Sequence, residues 1–78
     1  MNLYLIWQET NTGYDTYDSA VVAAESEDKA RLINPAGEKD WGYKFAAWCE
    51  RPDQVQVSFL CAGYEGKSGV VLASFNAG

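Results

Sequence analysis

Three groups of side chains in this chain are of types that do chemistry, and each lacks a companion that the chemistry needs. Asp15 and Asp18, with Glu9 across a turn, are carboxylates of the kind that hold a divalent cation or exchange a proton. Their spacing is not that of a calcium loop, and on a strand residues three apart point to opposite faces. Cys49 and Cys61 are the two thiols, and the chain has no histidine to act as a base or to complete a zinc site. Cys49 adjoins Glu50, whose charge raises a thiol pKa, and Cys61 continues an apolar alternation and reads as core. Gly66-Lys67-Ser68 resembles the end of a phosphate-binding loop. The glycine such a loop needs five residues before Gly66 is Cys61, and a strand rather than a helix follows. Neither catalysis, nor a metal, nor a cofactor is expected.

The functional reading therefore moves from reaction chemistry to contact. Asn11-Thr12-Gly13-Tyr14-Asp15-Thr16-Tyr17-Asp18-Ser19 places two carboxylates and two phenols at a hairpin and its returning strand. Eleven acidic against six basic side chains give a net charge of -5, a field that repels a phosphate backbone and suits a basic protein. Direct binding to nucleic acid is not expected. Tyr14, Asp15, Tyr17 and Asp18 are assigned to partner contact. Tyr14 and Tyr17 have opposite parity, so one packs on the covered side of the sheet while the other faces outward. Trp41, Tyr43, Phe45 and Trp48 form a second aromatic group, read either as a mini-core closing the sheet's second face or as an exposed patch. Trp41 and Trp48 are the two of these assigned to a partner.

The elements that position these residues follow from periodicity. Leu3 to Thr10 reads as a strand with Leu3, Leu5 and Trp7 on one face and Tyr4, Ile6 and Gln8 on the other, apolar enough on both to be central. Asn11-Thr12-Gly13 supplies turn chemistry, since Gly13 accepts positive φ and can close a three- or four-residue hairpin loop, and residues 14 to 24 return antiparallel. Ser26 caps a helix of about two turns that Pro35 stops, with Ala30, Leu32 and Ile33 as its apolar stripe. Residues 36 to 51 read mostly as loop. Val55, Val57, Phe59 and Cys61 alternate along a third strand, and residues 70 to 75 form a fourth. Two antiparallel hairpins flanking one helix predict a ββαββ, two-layer α+β domain over residues 1–78, with a four-stranded antiparallel sheet and the short helix on one face. At 78 residues one domain is expected, burying roughly 60% of the surface its unfolded chain exposes. No apolar run approaches a membrane span and Met1-Asn2-Leu3 lacks a basic leader, so the chain reads as intracellular, with reduced thiols.

Leu3-Tyr4-Leu5-Ile6 with Gln8, the run Gly13 to Ala24, Lys29-Ala30-Arg31, Trp48-Cys49, Pro52-Asp53 and the closing Gly69 to Gly78 resemble a group of small proteins of unknown function encoded by tailed bacteriophages. The likeness covers both ends and most of the length, while Gly37 to Ala47 departs from it. The resemblance implies a bacterial host cytosol and a host protein as partner. By class analogy that partner is a defence or nucleic-acid-handling complex with a basic groove, blocked in the manner of an anti-CRISPR protein. The competing expectation is a homo-oligomeric accessory protein, a homodimer joined through edge strands.

Overall fold

The structure, a computed structural model, describes residues 1–77. Four strands, β1 (Asn2–Trp7), β2 (Thr16–Ala24), β3 (Gln56–Cys61) and β4 (Gly69–Asn76), form one antiparallel sheet in the order β3-β1-β2-β4. The helix α1 (Glu27–Arg31) packs on one face against β1, β2 and β3. The α+β class and the central position of β1 are as the sequence predicts. The second hairpin is not. β3 pairs with β1, setting Ser58 opposite Leu5, and β4 pairs with β2, setting Ala73 opposite Ala20. Strands β1 and β2 are apolar on both faces, so each is flanked on both sides. Residues 62–68 cross the end of the sheet from one edge to the other, a span of three inter-strand steps of about 4.8 Å that seven residues cover easily. The backbone of Tyr64 holds this crossing to the N-terminus: its N–H donates to the Met1 carbonyl at 2.8 Å, and the Met1 ammonium donates to the Tyr64 carbonyl at 3.1 Å.

Ser26 begins α1 as expected: its Oγ accepts from the Lys29 N–H at 3.2 Å, satisfying one of the first-turn donors. The helix stops at Arg31, shorter than two turns, and Leu32 lies exposed instead of joining Ala30 and Ile33 against the sheet. Two exposed ion pairs, Lys29 to Glu25 and Arg31 to Glu27, run along it at a spacing of four. Arg31 also donates to the Val55 carbonyl and ties α1 to the start of β3.

Tyr4, Ile6, Ala20, Val22, Ala30, Trp48, Cys49 and Val55 make one buried cluster between sheet and helix, with Ile33, Trp41 and Val57 against its rim. Trp48 thus packs on the same side as α1, and residues 41–49 do not close the sheet's second face. That face, carrying Leu3, Leu5, Trp7, Val21 and Leu72, has no second layer, and Leu72 is 68% exposed. Leu60 is an extra residue between the Tyr4–Phe59 and Leu3–Cys61 pairs, and this bulge turns Cys61 to the uncovered face. Cys61 is accordingly exposed rather than core, against the simple alternation.

Candidate functional site

The hairpin end is built around a buried glutamine. Gln8 follows the last residue of β1 and, by alternation, points inward, where its amide organises the chain instead of packing as a hydrophobe. Its Nε2 donates to the carbonyls of Asn11 at 2.6 Å and Tyr17 at 3.0 Å. Its Oε1 accepts from the N–H groups of Thr10 at 3.0 Å and Asn11 at 2.8 Å. One side chain thereby performs the work of a tight turn, and the connection runs through eight residues, 8–15, instead of three or four. The left-handed residue is Asp15, at φ 58°, and not Gly13. Aspartate tolerates that region better than most residues. The Asp15 N–H donates to the Asn76 carbonyl at 2.6 Å and Thr16 Oγ1 donates to the Gly13 carbonyl at 2.6 Å, so the acidic turn is fastened to the end of β4.

Asn11 joins the hairpin to the aromatic loop. Its Nδ2 donates to the carbonyls of Ala46 at 2.8 Å and Trp48 at 3.0 Å, while the Tyr17 N–H donates to the Ala47 carbonyl at 2.7 Å. The Asp40 carboxylate closes the loop from the other side by accepting from the Ala47 N–H at 3.1 Å. Asp40 ends a single 3₁₀ turn, Glu38–Asp40, and a second such turn, Pro52–Gln54, leads into β3.

On this frame the six residues assigned to contact separate. Tyr14 is 77% exposed, and Asp15 and Asp18 face solvent. Asp18 is the extra residue of a bulge between the Tyr17–Phe75 and Ser19–Ser74 pairs, and its Oδ1 accepts from Ser19 Oγ at 3.0 Å. The bulge sends Tyr17 to the core side, where its ring lies 4.8 Å from that of Phe75 and is half-buried. Of the two tyrosines, Tyr14 faces outward and Tyr17 packs. Trp41 is half-buried against the core. Trp48 is wholly buried and takes no part in a surface: a small domain fills its interior with its largest side chain. No lysine or arginine precedes Lys29, and Glu9, Asp15 and Asp18 take part in none of the three ion pairs among the described residues.

The chain matches no family model, no curated protein and no solved structure. What it offers a partner must come from its own surface.

Two features of that surface lie outside the six assigned residues. Tyr43 and Phe45 are exposed and meet edge to face with centroids 6.0 Å apart, so the aromatic loop divides into an inner pair and an outer pair. The charges of Glu38, Lys39, Asp40 and Lys44 around them were the available signal. Between this loop and the hairpin lies an open cleft of about 490 Å³ lined by Thr10, Asn11, Tyr43, Lys44, Glu50 and Gln54. Trp48 borders it, and the Trp48 indole N–H is a buried donor with no acceptor among the described residues. Neither thiol adds chemistry here. Burial, with a lesser contribution from the charge of Asp53, pushes the Cys49 thiol up to about 11 and keeps it protonated. Among the described residues no three acidic or thiol side chains gather as a metal site would require. No helix among them is long and apolar enough to cross a membrane.

Proposed function

We propose that this protein is a phage-type protein-binding module that inhibits a bacterial host complex handling nucleic acid, anti-CRISPR-like in class, acting in the host cytosol without catalysis. The observation that carries the reading is the exposed Tyr14–Asp15 turn with Asp18, acidic and aromatic at once, whose carboxylates take part in no ion pair among the described residues. An aromatic anchor ringed by carboxylates suits a basic groove: the ring supplies contact area and the charges steer approach. The contact surface comprises Tyr14, Asp15 and Asp18, while Tyr17 and Trp41 pack against the core and Trp48 is removed.

The test is capture from bacterial lysate with tagged protein at low and high salt, with mass spectrometry of what is retained. A basic protein held at low salt and released at high salt is the expected result. Replacing Asp15 and Asp18 together by lysine should slow association with that protein by roughly tenfold or more. Unchanged binding by the double variant would remove the surface assignment. A homo-oligomeric accessory role is the second reading, favoured by the sheet face that carries no second layer.

A further inference from the structure

We propose that the uncovered face of the sheet is a contact between two copies of this chain. The four strands together contain a single charged residue, Asp18, in a chain of which 22% is charged. Strand faces left to water normally alternate apolar with polar or charged side chains. Here the face away from α1 presents Leu5, Trp7, Val21 and Leu72, interspersed with the uncharged polar residues Ser19, Gln56, Ser58 and Ser74. A basic partner finds nothing to pair with on such a surface. A second copy does fit: two chains of net charge -5 meet with little repulsion through a face whose paired strand residues are uncharged, while the acidic hairpin ends remain in solvent.

Size agrees with a dimer. Four strands about 4.8 Å apart and six residues of about 3.3 Å each give a face of about 400 Å² per copy before side-chain relief. With that relief the two-copy total reaches about 1,000 Å², the lower bound for a specific interface. Strand registers across the face also leave a shallow groove of about 260 Å³ lined by Leu5, Ser19, Val21, Leu72 and Ser74. In aligned sheet packing, apolar side chains of the facing copy fill such a recess, with the sheets about 10 Å apart. Edge-to-edge pairing is the poorer geometry. Bulges at Leu60 in β3 and Val71 in β4 interrupt both free edges, a device that discourages strand addition. The inference is independent of the acidic-surface reading, since it uses different residues.

Sedimentation velocity of the full chain at about 50 μM, above the micromolar dissociation constants that interfaces of this size support, decides it. The expected species has twice the 8.6 kDa mass of one chain. Ser58→Lys and Ser74→Lys each place a cation in the contact, on opposite edge strands, and each should raise the dissociation constant on the order of a hundredfold while leaving far-UV circular dichroism unchanged. Leu72→Glu, at an exposed position, repeats the test should either lysine variant lose its fold. A monomeric wild type overturns the proposal. So does a Ser58→Lys variant that stays dimeric, because a contact along β4 would not involve Ser58. The Asp15→Lys/Asp18→Lys variant should remain dimeric, which separates failure of this contact from failure of the acidic surface.

Discussion

Asn11 is the residue on which the geometry of the hairpin end can be tested most severely. Its amide donates both hydrogens to loop carbonyls, at Ala46 and Trp48, from a half-buried position. Alanine at this position removes two hydrogen bonds, each of net worth about 0.5–1.5 kcal/mol, so Asn11→Ala should cost about 1–3 kcal/mol. A domain of this length is held by about 4–12 kcal/mol, so the loss is a large fraction of the whole. Asn11→Asp keeps the shape but aims an anionic oxygen at two carbonyl oxygens, and at pH 7 it should be the worse of the two by about 1–2 kcal/mol. Protonation turns that oxygen back into a donor, so the folded state raises the new carboxyl above its unfolded pKa of about 3.9. A carboxyl raised in the folded state binds protons more tightly there than in the unfolded chain. The aspartate variant therefore gains stability as pH falls from neutral toward about 4, by about 1.4 kcal/mol for each tenfold difference in proton affinity between the two states, while the alanine variant does not. Urea denaturation followed by tryptophan emission at pH 7 and pH 4.5 measures both. The reasoning is refuted if the two variants agree within about 0.3 kcal/mol at both pH values, or if alanine costs less than about 0.5 kcal/mol.

Four further outcomes follow from other parts of the molecule. Trp48→Phe should be far milder than Trp48→Ala, which is expected to lose about 3–5 kcal/mol in thermal or urea denaturation, because the indole N–H has no acceptor to lose. Cys61 should react with a thiol reagent at pH 8 in the native protein while Cys49 reacts only after unfolding, read as one and then two labels by mass spectrometry. Because the folded protein holds the Cys49 proton up to about pH 11, stability should decline as pH rises past about 9, by on the order of 2 kcal/mol, and Cys49→Ala should flatten that decline. Gly13→Ala should leave the melting temperature unchanged or raise it by the equivalent of about 0.4–1 kcal/mol, since Gly13 does not use the left-handed region and an added Cβ meets nothing within 4 Å.

The aromatic loop shows where a linear reading loses its grip. Trp41, Tyr43, Phe45 and Trp48 have no period that separates core from surface, and their division into an inner tryptophan pair and an outer Tyr43–Phe45 pair depends on anchors far away in sequence. Asn11 reaches the loop across 35 and 37 residues. Without that tether no local rule says which ring turns inward. The acidic hairpin was more legible in its charges and phenols, which are a matter of composition, but parity did not place its rings: Tyr14 lies in the connection before β2, and Tyr17 turns inward through the bulge at Asp18. The loop length was not legible, because Gln8 replaced backbone turn chemistry with a side-chain amide.

Sequence by itself determined what depends on residue type and short spacing. The alternation of Leu3 to Gln8 set β1 in the middle of a sheet, Ser26 started the helix, and the excess of acidic over basic side chains was countable. Tertiary structure decided what depends on pairing between distant segments. β3 joined β1 rather than β4, since each inner strand needed an apolar or hydrogen-bonding neighbour on both sides. The bulges at Leu60 and Asp18 reversed the faces of Cys61 and Tyr17, because a single unpaired residue inverts a period of two. Periodicity is a local property of the chain, whereas register belongs to two strands at once. The faces of these residues were therefore settled only when the strands met.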